Sequence, residues 1–178
     1  IHALGSTSNP PGVPDSQFFA WLFQFQWARR LELLDMHTIF RFDSQLANAS
    51  LLPLEQISVG GRYSVRGYRE NQFVRDDAII ASLETRIPVF RNKPWADIVE
   101  IVPFVDFGHA WNKDIPATGP ETIGSVGLGL RWEDTVKYPF QWRPQFEIYW
   151  GIPLVKVDTP GGNLQDYGIS FRFLIAVF

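Results

Sequence analysis

Arg66, in the run Val65-Arg66-Gly67-Tyr68, and Asp106, in Phe104-Val105-Asp106-Phe107-Gly108, are the residues whose types and settings point most directly to a task. The arginine lies in a long glycine-flanked stretch and the aspartate on the face of an alternating strand. Together they suggest a loop that folds back and is pinned by a buried charge pair. A forked guanidinium–carboxylate contact fixes geometry, and losing one partner strands the other charge. Glu84 with Arg86, and Arg131 with Glu147, have the residue types of acid/base constellations, but their alternate spacing reads as charge ladders on adjacent strands. There is no Ser-His-Asp arrangement and no Gly-x-Ser-x-Gly elbow, and the stretch from Gly124 to Gly129 lacks the lysine of a phosphate loop. With no cysteine, and with His2, His37 and His109 scattered, thiolate or imidazole metal ligation has no support. The expectation is a protein that is no enzyme and needs no metal or other cofactor.

The elements that would position these residues are strands. Phe19, Trp21, Phe23, Phe25 and Trp27 alternate with Ala20, Leu22, Gln24, Gln26 and Ala28, a strict period of two. The same grammar recurs around Phe40, Leu83, Val105, Leu128, Ile148 and Phe171, giving about seven strands near the length of about 9 to 11 residues that a tilted membrane strand needs. A soluble sandwich also hides one such face, but five large aromatics in succession favour a lipid-facing strand with interfacial girdles. Arg41, Asp43, Glu84, Arg86, Glu100, Asp106, Arg131 and Glu147 occupy the opposite face, which is then a hydrated interior.

Connections alternate in length. Residues 31–35, 90–96 and 134–139 read as short turns, and 5–15, 47–77, 112–121 and 155–165 as long loops on one side, the order of an antiparallel up-and-down barrel. The loop 47–77 has little strand pattern but is not disordered by composition, since Leu51, Leu52, Leu54, Ile57, Val59, Tyr63, Tyr68 and Phe73 favour burial. With Arg62, Arg66, Arg69 and Arg75, it is expected to tuck into an acidic, partly apolar lumen. No apolar stretch reaches the roughly 18 residues of a transmembrane helix. A net charge of −3 offers no basic footprint for nucleic acid.

Val65-Arg66-Gly67-Tyr68 resembles the V-R-G-Y/F signature of the outer-membrane assembly and secretion superfamily, and Phe104-Val105-Asp106-Phe107-Gly108 its F-x-D-x-G strand motif. Asp15 to Trp21, Gln45-Leu46 through Gln56, Gly60-Gly61, Ser64 to Glu70 and Gly127 to Trp132 narrow the likeness to the haemolysin-activator type of two-partner secretion transporter, the ShlB/FhaC/HecB family (TpsB). The resemblance implies a sixteen-stranded transmembrane barrel after periplasmic POTRA domains, of which residues 1–178 are the C-terminal portion with about seven strands. It further implies an arginine loop in the lumen, with Arg66 paired to Asp106, and a bacterial outer-membrane location. The implied partners are a secreted TpsA-like exoprotein, the lipid bilayer and, during biogenesis, the outer-membrane insertion machinery. Asp166, Gly168, Phe171 and Phe173 fit the polar-x-Gly-x-x-apolar-x-apolar β-signal read by that machinery, with Phe173 or Phe178 as the terminal aromatic. An insertase of the same superfamily, a passive porin and a soluble binding sandwich are the rival readings.

Overall fold

The computed structural model describes residues 17–114, 116, 119–137, 141–157 and 162–177. The expected loop 5–15, parts of the connections 112–121, 134–139 and 155–165, and Phe178 lie outside the described residues. Among the described residues nine strands form: β1 (Ala20–Leu31), β2 (Met36–Ala47), β3 (Ile57–Val59), β4 (Phe73–Arg75), β5 (Asp77–Lys93), β6 (Ala96–Trp111), β7 (Thr122–Glu133), β8 (Trp142–Pro153) and β9 (Ile169–Val177). Seven of them make one antiparallel sheet in the order β1-β2-β5-β6-β7-β8-β9, and β3 pairs only with β4. Every neighbour in the large sheet is the next long strand in sequence, so the sheet is the expected meander, bent into a half-barrel. Among the described residues β1 and β9 each leave one edge unpaired.

Period-two patterning decides which way each strand faces, and the register aligns the faces from strand to strand. Trp27 pairs Phe40, which pairs Leu83 and, beyond it, Val105, Val126 and Ile152. This face is exposed and aromatic; Phe23 meets Phe42 at 5.9 Å and Phe25 meets Phe40 at 6.3 Å between ring centroids. The other face carries Ser82, Glu84, Glu100, Asp106 and Ser125, all buried, with Ser82, Glu84 and Asp106 beneath the segment that links β2 to β5. The charges thus line the concave side, and the large apolar groups the convex side.

Two expectations about the strands need correction. The connection 90–96 is not a seven-residue turn: β5 and β6 run on to a register of Lys93 with Ala96, leaving only Pro94 and Trp95 between them. A bulge between Pro88 and Phe90 absorbs the proline, and Asn92 takes a positive φ of 50° at the tip, so the hairpin closes despite residues that read as loop. In consequence β5 has 17 residues and β6 has 16, longer than the common length expected. The turn at 31–35 is a single 3-10 turn (Leu33–Asp35) stapled by Arg30 and Arg91 on Asp35, and the hydrogen bond from Arg30 holds the Asp35 carboxyl below the usual carboxylate range.

Candidate functional site

The segment 48–76 leaves β2, crosses the concave face and returns at β5. Its base is fixed by two adjacent buried carboxylates. Asp76 accepts from the amide of Leu51 at 2.9 Å, the Gln56 side chain at 2.9 Å and the amide of Lys113 at 3.0 Å. Asp77 accepts from the amide of Ala47 at 2.6 Å, with Lys113 Nζ at 3.0 Å. The segment has more strand than its sequence indicated, since β3 and β4 form a short hairpin that seats Val59 and Phe73. These join Val65 and Tyr68 in an apolar cluster with Ala78, Ile80, Ala110 and Ile123 of the wall. Burial of each large side chain stabilises the seated loop by about 1.5–3 kcal/mol. Gly108 faces this cluster, and a Cβ there would meet Val59 at 2.7 Å and Val65 at 2.9 Å. Leu52, Leu54 and Tyr63 are not buried as expected; Leu54 is 97% exposed. Apolar type favours burial of a residue, but the path of the segment decides which side chains meet the wall: Leu52 and Leu54 precede β3, and Tyr63 lies between β3 and β4.

Arg66 sits at the centre, 3% exposed, over Asp106 at 1%. Its Nε and Nη2 donate to the two oxygens of Asp106, each at 2.8 Å, and its own amide donates to the same carboxylate at 3.0 Å. The structure therefore brings together the pair singled out from sequence. It adds two residues that sequence reasoning did not assign to the site: Nη1 donates to Glu84 at 2.8 Å, and Nη2 reaches the Ser82 hydroxyl at 3.1 Å, which itself donates to Asp106 at 2.7 Å. Burial works against the guanidinium charge, but the hydrogen bonds and charges of Asp106 and Glu84 outweigh it and hold its pKa above the ordinary value.

Aromatic rings close the pocket. The Arg66 guanidinium lies 3.8 Å from the Phe104 ring centroid and 5.1 Å from that of Tyr149, and the two rings meet edge to face at 6.0 Å. Both rings occupy space left by glycines directly opposite in the register, Phe104 over Gly127 and Tyr149 over Gly129. The glycine-rich run of β7, which lacks the features of a phosphate loop, serves here to admit two rings. Tyr149→Ala is expected to weaken the Arg66 seat by about 0.5–2 kcal/mol. Hydrogen exchange of the Arg66 amide should then rise by about 2- to 30-fold, whereas Tyr149→Phe, which keeps the ring, should leave it unchanged.

The remaining loop arginines reach different parts of the wall. Arg62 pairs with Glu147 on β8, which also receives Arg131 of β7 at 3.1 Å, and Arg131 joins Glu100 of β6. The ladder read from sequence thus includes a loop arginine. Arg69 forks onto Asp166, with Nη2 at 2.8 Å, while Arg75 donates to the carbonyl of Val74 at 2.9 Å. Tyr68 places its hydroxyl 2.9 Å from the carbonyls of Gly124 and Val155 and accepts from the Val155 amide at 3.1 Å. Gly67, with φ of +92°, lies against Gly151 of β8, where a Cβ would come within 3.0 Å of backbone.

Asp166 and Gly168 are not strand residues. They belong to a 3-10 turn (Leu164–Tyr167) that Asn163 caps at one end and Gly168, at φ of 73°, closes at the other. Only Phe171 and Phe173 of the suggested β-signal lie in β9, both on the exposed convex face.

The family model for haemolysin secretion/activation proteins, ShlB/FhaC/HecB, matches residues 1–132. The chain belongs to this family. No curated protein matches it. Membership implies a role as a two-partner secretion transporter, a secreted partner protein and a place in the bacterial outer membrane.

Proposed function

We propose that this ShlB/FhaC/HecB-family protein conducts an unfolded exoprotein of the haemolysin or haemagglutinin type across the outer membrane, as the C-terminal portion of a larger barrel. It acts as a conduit and not as an enzyme, and needs no metal or other cofactor. The observation that carries this reading is the loop 47–77 seated inside a concave polar wall by Arg66, Asp106 and Glu84. The substrate passes beside the loop as an extended chain, and the loop gates or steers it. Val65, Gly67, Tyr68, Phe104 and Gly108 set the loop's seat, while Asp166, Gly168, Phe171 and Phe173 form the end that the insertion machinery reads, with POTRA domains upstream.

The test is secretion of a co-expressed exoprotein by cells with and without this protein; equal amounts in the medium would end the proposal. The sidedness on which it depends is tested by Phe25→Arg, which places a charge on the convex face and should cost about 2–4 kcal/mol if that position lies at the bilayer midplane. Membrane-inserted protein should fall for Phe25→Arg and hold for Gln26→Arg on the concave face.

A further inference from the structure

Beside the loop tip, with Arg66 and Glu84 of the seat on its wall, lies a hollow of about 200 Å³ bounded by the loop and by β1, β2, β5, β8 and β9. Five guanidinium groups line it, those of Arg41, Arg62, Arg66, Arg86 and Arg172, against the two carboxylates of Glu84 and Glu147. Those carboxylates are already engaged: Glu84 by Arg66 and Arg86, Glu147 by Arg62 and Arg131. Arg41 and Arg172 form no ion pair among the described residues; Arg172 stands opposite Glu147 in the register, but the Glu147 oxygens are taken by Arg62 and Arg131. Asp43, two residues along β2, lines the adjoining hollow with Arg41 and forms no ion pair with it. Arg62 adds an independent sign. Its side chain is only 10% exposed, and its Nη1 is buried without an acceptor among the described residues. A buried donor of this kind is costly unless something accepts its proton. The chain as a whole is acidic, so this excess of positive charge is local.

We propose that this hollow is a station for the carboxylate side chains of an extended acidic polypeptide. A guanidinium fork matches a carboxylate in shape and charge, and the volume holds one or two side chains. The main chain would run outside it, past the exposed ring of Tyr63, which also lines the hollow. The occupant's identity as cargo rests on the transport reading above; its chemistry does not. Arg41 and Arg172 would hold each carboxylate weakly enough to release it, since neither is backed by a second charged hydrogen bond.

The test uses the protein in detergent micelles with two fluorescein-labelled twelve-residue peptides, oligo-glutamate and oligo-lysine, read by anisotropy at fixed salt. Oligo-glutamate is expected to bind at least about tenfold more tightly than oligo-lysine, and Arg41→Gln with Arg172→Gln to weaken it about tenfold. Arg29→Gln, on the convex face, should leave binding unchanged. Neither Arg41 nor Arg172 supports a partner, so their replacement leaves no stranded charge, and heat-modifiable gel mobility verifies the fold. Equal affinity for the two peptides, an unaltered double variant, or displacement by inorganic phosphate at equal charge would each overturn the station. A protein that prefers oligo-glutamate yet secretes nothing keeps the station and loses the transport reading; secretion without peptide preference does the reverse.

Discussion

Arg66→Ala is expected to reduce secretion by at least about 100-fold while the barrel still assembles. The substitution strands the carboxylates of Asp106 and Glu84 beneath the loop, and breaking a buried pair costs about 3–5 kcal/mol. That cost falls on the seat of the loop and not on the strand ladders, because Ser82 still pairs Asp106 in the register. Each 1.4 kcal/mol is about a factor of ten in the seated population, which sets the scale of the loss. Asp106→Ala should do less, since Arg66 keeps Glu84 and Ser82, and Glu84→Gln less again, at about 1.5–3 kcal/mol for one charged hydrogen bond. The double variant Arg66→Ala with Asp106→Ala should lose less than the sum of the singles, because it leaves fewer charges stranded. Exoprotein in the medium measures the first effect and heat-modifiable gel mobility the second. Normal secretion by both single variants would remove the loop seat from the mechanism.

Gly151→Val should produce a smaller defect of the same kind without touching a charge. A Cβ at residue 151 would stand 2.6 Å from the amide nitrogen of Gly67 and 2.9 Å from the carbonyl carbon of Arg66, both backbone atoms that cannot swing aside. Overpacking of this kind costs about 1–3 kcal/mol and displaces the loop tip from β8. Gly67→Ala meets the same surface from the other side, and its φ of +92° adds about 1–2 kcal/mol of backbone strain. Gly124→Ala is the control, as a Cβ there meets its neighbours at 3.5 Å or more, ordinary contact. Secretion should fall by about 5- to 150-fold for Gly151→Val and stay level for Gly124→Ala. Wild-type export by the valine variant would show that the tip does not need to rest on β8.

Much of this architecture is legible in the chain because it obeys a short period. Alternation from Phe19 onward reveals the strands, their faces and the meander, and two short motifs locate Arg66 and Asp106. What escapes is what depends on register and on long-range contact. Ser82 and Glu84 join the site only because β5 pairs β6 so that Ser82 faces Asp106 and Glu84 faces Phe104. Gly151 matters only because a loop some eighty residues earlier lands on it, and its own neighbourhood reads as ordinary strand. The turn that holds Asp166 and Gly168 is legible as well. Asn163 followed by Asp166 at the third position, with Gly168 just beyond, is the signature of a capped helical turn, and both reciprocal hydrogen bonds of that box form. Leu52 and Leu54 are not legible, because apolar content says that a segment will bury something, not which residues.

The arginines of the loop are spread across the wall: Arg66 on β5 and β6, Arg62 on β8, and Arg69 on the turn that leads into β9. The crossing segment is therefore a cross-brace on the inside of a curved shell. Flattening or tightening the curve between β5 and β9 would stretch or crowd at least one of these three ties, so wall shape and loop position become one mechanical coordinate. With Asp76 and Asp77 holding the other end, letting go of the ties yields a flap that swings about a fixed root.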